Sequence, residues 1–266
     1  MEKSVGDFCI YSTTGLHKLN KGSFCGIIIG VSYITKDTRV GGLLDMLDKN
    51  YFLTSGDRTE LSPTVTKIAR FIPDVSPEHS TKDVVKSIMY AYAKYIPMER
   101  GIHPERKFKR SAEEIISQGY RDGCCDSSTL FVALCRAKGI PACQVISAKI
   151  SAMNDGRFSV GHFFSGFYSS EEDKWYVIDT NKTPQEILNP RFPFHDFNDE
   201  GDFFDRDYLV FAVARDYSDY SIRDPETGIT YQIDSSRSMR EIHRLAYKGY
   251  LSAQKQLSKG EIQEFE

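Results

Sequence analysis

The chain has 266 residues, 40% hydrophobic and 27% charged, which is the composition of an ordinary globular protein with one large domain or two small ones. A net charge of −3 and a pI near 6.1 argue against a basic surface that binds nucleic acid. No apolar run approaches the roughly 18 residues of a membrane span, and no secretory signal is visible, so we expect a cytoplasmic protein without nucleic-acid or membrane partners.

Residues 1–75 contain alternating apolar segments that predict a β-rich N-terminal extension or subdomain. Segments 8–11 and 25–34 have the composition of strands or buried elements, and 43–47 has a short helical pattern. Thr, Ser, Gly and Pro are frequent in 54–66, which predicts a loop.

Two helix starts follow, each with a serine and, three residues later, an acidic residue. This spacing is a capping box, and it predicts one helix from Ser80 that ends before Pro97. The same pattern at Ser111 predicts a shorter helix that ends at Gly119.

The most informative stretch runs from Asp122 to Pro141. It predicts a helix from about Cys124 to Lys138, preceded by a glycine and terminated by Gly139. A thiol at such a helix start faces unpaired backbone N–H groups and the positive end of the helix dipole. Both effects lower a thiol pKa and favour the nucleophilic thiolate, so a cysteine here is a candidate nucleophile.

The rest of the chain predicts an antiparallel sheet with a C-terminal helix. Strands are predicted at 141–148, 158–168, 174–180 and 208–214, a turn at 151–157, an irregular excursion at 181–207, and an amphipathic helix at about 236–257.

The hairpin formed by the second and third of these strands brings His162 near Asp179. Alternate residues of a strand share a face, so two registers keep both side chains on one face. One register pairs the two residues directly, and the other sets them one diagonal step apart; both place the carboxylate within reach of the imidazole. The intermediate register would separate them on opposite faces.

An imidazole held by a carboxylate is the oriented base that a cysteine nucleophile needs. Alone, His162 fits an ordinary core or surface histidine, Asp179 a turn residue and Cys124 a buried thiol. Together they indicate a catalytic Cys-His-Asp triad.

Residues 124–143 resemble the core motif of the transglutaminase-like superfamily, a G-x-C-x-D opening, an aliphatic helix and then L-x-R-A-x-G-I-P-A. Aligning the segment from Gly139 to Ala142 with G-I-P-A puts Cys124 at the nucleophile position. Segments 161–164 and 175–179 resemble the family's histidine strand and its W-x-x-x-D strand, so the resemblance spans roughly residues 78–185.

One feature of this motif leaves open which of two adjacent cysteines is the nucleophile. The family commonly has glycine two residues before the cysteine, whereas here Asp122 holds that position and Gly123 adjoins Cys124. Cys125 is therefore an alternative nucleophile. In the implied mechanism the backbone N–H of Cys124 stabilises the oxyanion. Gln118 is a candidate second donor, although a surface glutamine with no catalytic role is the alternative.

The resemblance implies an α+β papain/transglutaminase-like fold, with a catalytic core at 76–185 and a C-terminal extension at 186–266 that completes the sheet. The implied activity is a cysteine-dependent hydrolase of amide bonds in protein or peptide substrates. Alternatives are a protein-glutamine acyltransferase with the same triad and a non-catalytic binding scaffold. We expect no cofactor and no metal, because the six cysteines form no C-x-x-C pair and no H-E-x-x-H motif occurs.

Overall fold

The computed structural model describes residues 9–12, 15–18, 49–101, 108–158, 160–197, 208–219, 221–223, 227, 229–232 and 239–258. The predicted segments 25–34 and 43–47 lie outside these residues.

The helices follow the predicted order along the chain, with three short additions. They are α1 (Pro63–Ala69), α2 (Thr81–Tyr95), α3 (Ala112–Gln118), α4 (Cys124–Ala137), α5 (Ile150–Asn154), α6 (Pro184–Ile187) and α7 (Met239–Ser258). The strands are β1 (Cys9–Ser12), β2 (Gly15–Lys18), β3 (Ala142–Lys149), β4 (Gly161–Ser169), β5 (Lys174–Ile178), β6 (His195–Asp196), β7 (Tyr208–Ala214), β8 (Ser221–Arg223) and β9 (Thr230–Gln232).

Helix α4 is buried on all sides from Cys125 to Arg136. Its apolar residues Leu130, Phe131 and Leu134 join the main hydrophobic core with residues of α1, α2 and α3, and its polar Ser128 hydroxyl bonds the hydroxyl of Ser165 on β4 at 2.8 Å. A helix surrounded in this way is held by packing more than by intrinsic propensity.

The main sheet has five strands in the order β6-β5-β4-β3-β7, and every neighbouring pair is antiparallel. Strands β6 and β7, which follow residue 185, are the two edges of this sheet. The helices packed against a five-stranded antiparallel sheet confirm the predicted α+β class. Within the described ranges, no helix has both the length and the hydropathy needed to cross a membrane.

Arg136 ties the segment before α1 to the centre of the molecule. Its guanidinium donates hydrogen bonds to the carbonyls of Phe52, Ala142 and Arg215 and to the hydroxyl of Thr59, at 2.6–2.7 Å. A buried arginine with every bond to an oxygen acceptor satisfies its own polar groups and those of three chain segments. Arg136, the arginine of the L-x-R-A motif, therefore joins these segments of the fold.

Three predictions of irregular chain were wrong in part. The excursion predicted at 181–207 contains α6 and the short edge strand β6. The loop predicted at 54–66 gives way to α1, because Ser62 caps the helix by accepting a hydrogen bond from the backbone of Val65, and Pro63 is the first helical residue. The turn predicted at 151–157 includes α5, whose Ala152 and Met153 are buried.

Candidate active site

Gly123 sets the position of Cys124 at the start of α4. Gly123 has φ +130° and ψ −168°, a backbone conformation that is essentially restricted to glycine. The chain can therefore turn sharply into the helix, and Cys124 becomes its first residue with a half-buried thiol. The backbone N–H of a first-turn residue has no acceptor within the helix.

The β4–β5 hairpin has the diagonal register of the two that were predicted. Ser165 pairs with Ile178 and Gly166 with Val177, so one further step along the strands sets Asp179 opposite Phe164. His162 and Asp179 thus lie on one face, just beyond the end of the ladder. Their separation is short, with His162 Nε2 at 2.9 Å from Asp179 Oδ1.

The His162 ring contacts both of the other predicted site residues. One nitrogen bonds the Asp179 carboxylate, and the Cys124 side chain also forms a hydrogen bond with the ring. Because Nε2 is engaged by Asp179, Nδ1 is left for the thiol. Burial lowers the pKa of His162, but the hydrogen bonds with Asp179 and Cys124 outweigh it and raise this pKa from 6.5 to about 9. The arrangement favours an imidazolium.

Asp179 is held by three groups. Its Oδ1 accepts hydrogen bonds from the His162 ring and from the backbone N–H of Asn181, both at 2.9 Å, and its Oδ2 lies 3.4 Å from Lys182 Nζ. Burial raises the pKa of Asp179, but the bond with His162 and these neighbours bring it below its usual value. The carboxylate stays charged and its orientation is fixed.

Cys125 has different surroundings from Cys124. Its side chain is buried and its Sγ lies 3.8 Å from Oδ1 of Asp126. Asp126 forms a buried ion pair with Arg110 and accepts a hydrogen bond from the backbone N–H of Asp122 at 2.6 Å. Cys124 is half-buried and interacts with His162, whereas Cys125 is buried beside Asp126.

Gln118 is exposed at the end of α3, and its side-chain oxygen accepts a hydrogen bond from Arg110 Nη1 at 3.0 Å. This contact gives Gln118 a structural role in supporting the Arg110–Asp126 pair. Its role as an oxyanion donor stays a prediction.

Cys135 and Cys143 match the interpretation of cysteine as a small core residue. Both are fully buried. Burial raises the pKa of Cys135 well above its usual value and raises that of Cys143 to about 12. Thiols in such surroundings are unreactive near neutral pH.

A cleft of about 290 Å³ opens beside the His162–Asp179 pair. Besides these two residues, it is lined by the apolar or aromatic side chains of Phe164, Phe192, Pro193 and Tyr208 and by the basic side chains of Lys182 and His195. The ring of Phe164 meets the His162 ring edge-on at 4.5 Å between centroids. We refer to this space as the histidine cleft.

Several of these residues escaped the sequence interpretation. Lys182 follows Asp179 by three residues, a spacing that is visible in the sequence, but its contact depends on the turn after β5. Phe192 and Pro193 lie in the segment predicted as an irregular excursion, and no periodic pattern there indicates which side chains point toward β4. Among the described residues, no group of three or more His, Cys, Asp or Glu side chains is placed to hold a metal ion.

Comparisons with known proteins agree with this picture. Residues 69–180 match the sequence profile of the transglutaminase-like superfamily, which confirms the resemblance predicted from the motifs. The match contains the capped helices, α4 and the β4–β5 hairpin, and it supports a cysteine-dependent enzyme in general terms. The comparison with curated proteins gives no match.

Two solved structures are similar to the chain at low sequence identity. One is a candidate cysteine protease from Cytophaga hutchinsonii, with 18% identity and a TM-score of 0.44 over 66% of this chain and 50% of that one. The chain thus spans half the length of that protein. The other is LapG of Legionella pneumophila, with 12% identity and a TM-score of 0.37 over 76% of this chain and 98% of that one.

Proposed function

We propose that the protein is a cysteine-dependent hydrolase of amide bonds in peptide or protein substrates, acting through Cys124, His162 and Asp179. The observation that carries the proposal is the position of His162, which bonds both the thiol of Cys124 and the carboxylate of Asp179. A nucleophile, a base and a group that orients the base are the three parts that covalent acyl transfer requires.

In the proposed mechanism, Cys124 and His162 form a thiolate–imidazolium pair and Asp179 fixes the ring. The thiolate attacks the carbonyl carbon of the amide, and the backbone N–H of Cys124 at the start of α4 donates to the oxyanion. His162 then gives its proton to the leaving nitrogen, and a thioester acyl-enzyme remains. Water, deprotonated by His162, attacks the thioester and releases the acid and the thiolate.

Transfer of the acyl group to an amine, as in a protein-glutamine acyltransferase, uses the same three residues. The two reactions differ only in the nucleophile that resolves the thioester. The choice between the two reactions therefore depends on whether the space on the His162 side of the thiol binds an amine or leaves the thioester to water.

The proposal is tested by two measurements on the same set of variants. Iodoacetamide at pH 6, located by peptide mass spectrometry, should label Cys124 in preference to Cys125, because an unperturbed thiol with a pKa near 8.5 is almost wholly protonated there. Incubation with a proteome-derived peptide library should give new peptide termini with wild-type protein and with Cys125→Ala.

The expected negative variant is Cys124→Ala, which should give no new termini. Cleavage that survives in Cys124→Ala and disappears in Cys125→Ala would transfer the role to the second thiol. A wild-type protein that labels at Cys124 but cleaves no peptide in the library, and forms no thioester with an activated acyl ester, would contradict a hydrolase and favour the binding scaffold.

A further inference from the structure

The histidine cleft is next to the proton donor of the proposed reaction. Its lining includes His162 and Asp179 but not Cys124, so the space extends from the imidazole side of the site. His162 must lie within hydrogen-bond reach of the nitrogen that it protonates. The part of a substrate attached to that nitrogen therefore has to lie on the imidazole side, where the cleft is.

Two charged residues of the cleft, Lys182 and Asp179, are paired with neighbouring groups. Lys182 Nζ lies 3.4 Å from Asp179 Oδ2 and 3.6 Å from Glu186 Oε1, so its charge faces two carboxylates. Asp179 in turn is engaged by His162, Asn181 and Lys182. Neither residue is set up to select an ion of opposite charge from the substrate.

The apolar walls of the histidine cleft therefore remain as the feature that can distinguish one substrate from another. Phe192 is buried against the main core, and its ring packs edge-on against Phe194 at 5.4 Å between centroids. Phe164 packs edge-on against Tyr208 at 5.4 Å. Rings fixed by other rings form a rigid apolar surface, which favours flat or bulky apolar groups at low entropic cost.

We propose that the histidine cleft binds the amine portion of the substrate and selects an aromatic or large aliphatic side chain on the residue that carries the reacting nitrogen. This inference rests on the proposed function. It also bears on the choice between hydrolysis and transfer, because the polar end of a lysine side chain would gain little from rigid apolar walls. A peptide leaving group with an apolar first residue fits the same space better.

The test uses the reverse step, in which an amine enters the cleft and attacks the acyl-enzyme. p-Nitrophenyl acetate acylates the thiolate: the S–C bond forms, p-nitrophenolate leaves, and its release is measured as a burst. Added amine then attacks the thioester carbonyl, His162 takes the amine proton, and the thiolate leaves. The product is an N-acetylamino acid amide, which is measured against acetate by liquid chromatography.

The amines are phenylalaninamide, leucinamide, glycinamide, glutamic acid α-amide and lysinamide. Their reacting α-amines are chemically alike, so differences in partition report the side chain. Because the apolar walls would bury a Phe or Leu side chain, we expect at least about a tenfold preference for phenylalaninamide and leucinamide over glycinamide. Lysinamide and the glutamic acid amide should give no gain over glycinamide.

Variants locate the preference in the cleft. Phe192→Ala and, independently, Tyr208→Ala should each reduce the preference for phenylalaninamide over glycinamide at least about threefold. Phe71→Ala is the matched control, because Phe71 is 83% exposed and is not part of the cleft lining. It should keep the wild-type preference.

The outcomes separate this inference from the proposed function. No Cys124-dependent burst would contradict the proposed function itself. A burst followed by equal partition to all five amines, by transfer to water alone, or by a preference for lysinamide would overturn the inference and leave the thiol chemistry in place. A preference for phenylalaninamide that Phe71→Ala removes as strongly as Phe192→Ala would also overturn the assignment to this cleft.

Discussion

Replacing Asp179 with asparagine is expected to lower the pKa of His162 substantially. In the folded protein this pKa rises from 6.5 to about 9, in spite of burial, because the ring bonds the carboxylate of Asp179 and the side chain of Cys124. The rise corresponds to about 3 kcal/mol in favour of the imidazolium, at about 1.4 kcal/mol for each pH unit. Asparagine keeps the shape but removes the negative charge, so we expect the pKa to fall by about one to two units.

The sign of the effect fixes what should be seen at each pH. The raised pKa means that the imidazolium is present below about pH 6.5 in any state of the chain and persists in the folded protein until the pH passes about 9. In Asp179→Asn the His162 imidazolium should lose its proton at a lower pH. At pH 8.5, a pKa of about 7.5 leaves roughly a tenth of the molecules protonated, against about three quarters in wild type.

The assay is NMR titration of the histidine rings after selective ¹³C labelling. The six histidines give six ring signals, and His162→Gln identifies the one that belongs to His162. Cys124→Ala should also lower the pH at which the His162 signal titrates, since the sulfur contributes to the raised pKa of His162. The control is Asp155→Asn, which removes an exposed partner of Arg157. A wild-type His162 that titrates near 6.5, or an inflection near 9 that Asp179→Asn leaves unchanged, would refute the reasoning.

Three further predictions concern residues around the site. Gly123→Ala should destabilise the protein by roughly 1–3 kcal/mol in urea unfolding and slow alkylation of the thiol, because an added Cβ meets no atom but the φ of +130° becomes strained. Burial lowers the pKa of His243 to about 4, so unfolding free energy should fall by up to about 3 kcal/mol as the pH drops from 6.5 to 4, and His243→Gln should abolish that part of the slope. Lys182→Gln should raise the pKa of Asp179 only slightly, since Lys182 is partly exposed, and carboxyl ¹³C titration would show no change if the ion pair is ineffective.

The elements that carry their own start and stop residues could be predicted from the sequence. Ser80 and Ser111 both form the capping boxes expected of them, and Gly119 ends its helix in the left-handed conformation. The central helix begins at Cys124 and ends one residue before the predicted end. Each of these signals acts within one turn of helix, so no tertiary information is needed to interpret it.

The sequence alone could not choose between the two hairpin registers that bring His162 near Asp179. Direct pairing would leave a two-residue turn, whereas the structure has four residues, 170–173, between the last paired residues Ser169 and Lys174. Asp173 adopts a positive φ in this turn and forms an ion pair with Lys49, from a distant part of the chain. Long-range contacts of this kind favour one register over another, and they have no local signature.

The histidine cleft could not be predicted from the sequence for a related reason. Its walls come from β4, from the segment after α6 and from the start of β7, and these meet only in the folded sheet, whose strand order does not follow the order of the chain. Phe192 and Pro193 follow a short helix that was not predicted, although Thr183 and Glu186 form its capping box and Pro184 is its first residue. A substrate-binding surface assembled from such distant segments needs the topology before any of its members can be recognised.

The two adjacent cysteines differ because of what the first turn of α4 does to consecutive residues. Successive side chains point about 100° apart around a helix, so Cys124 and Cys125 cannot face the same space. Cys125 turns inward, toward the buried Arg110–Asp126 pair, and Asp126 also accepts a hydrogen bond from the backbone of Asp122, just before the glycine. This bond closes the turn into the helix and fixes its rotation. A change that loosened the Arg110–Asp126 pair should therefore misdirect the thiol of Cys124.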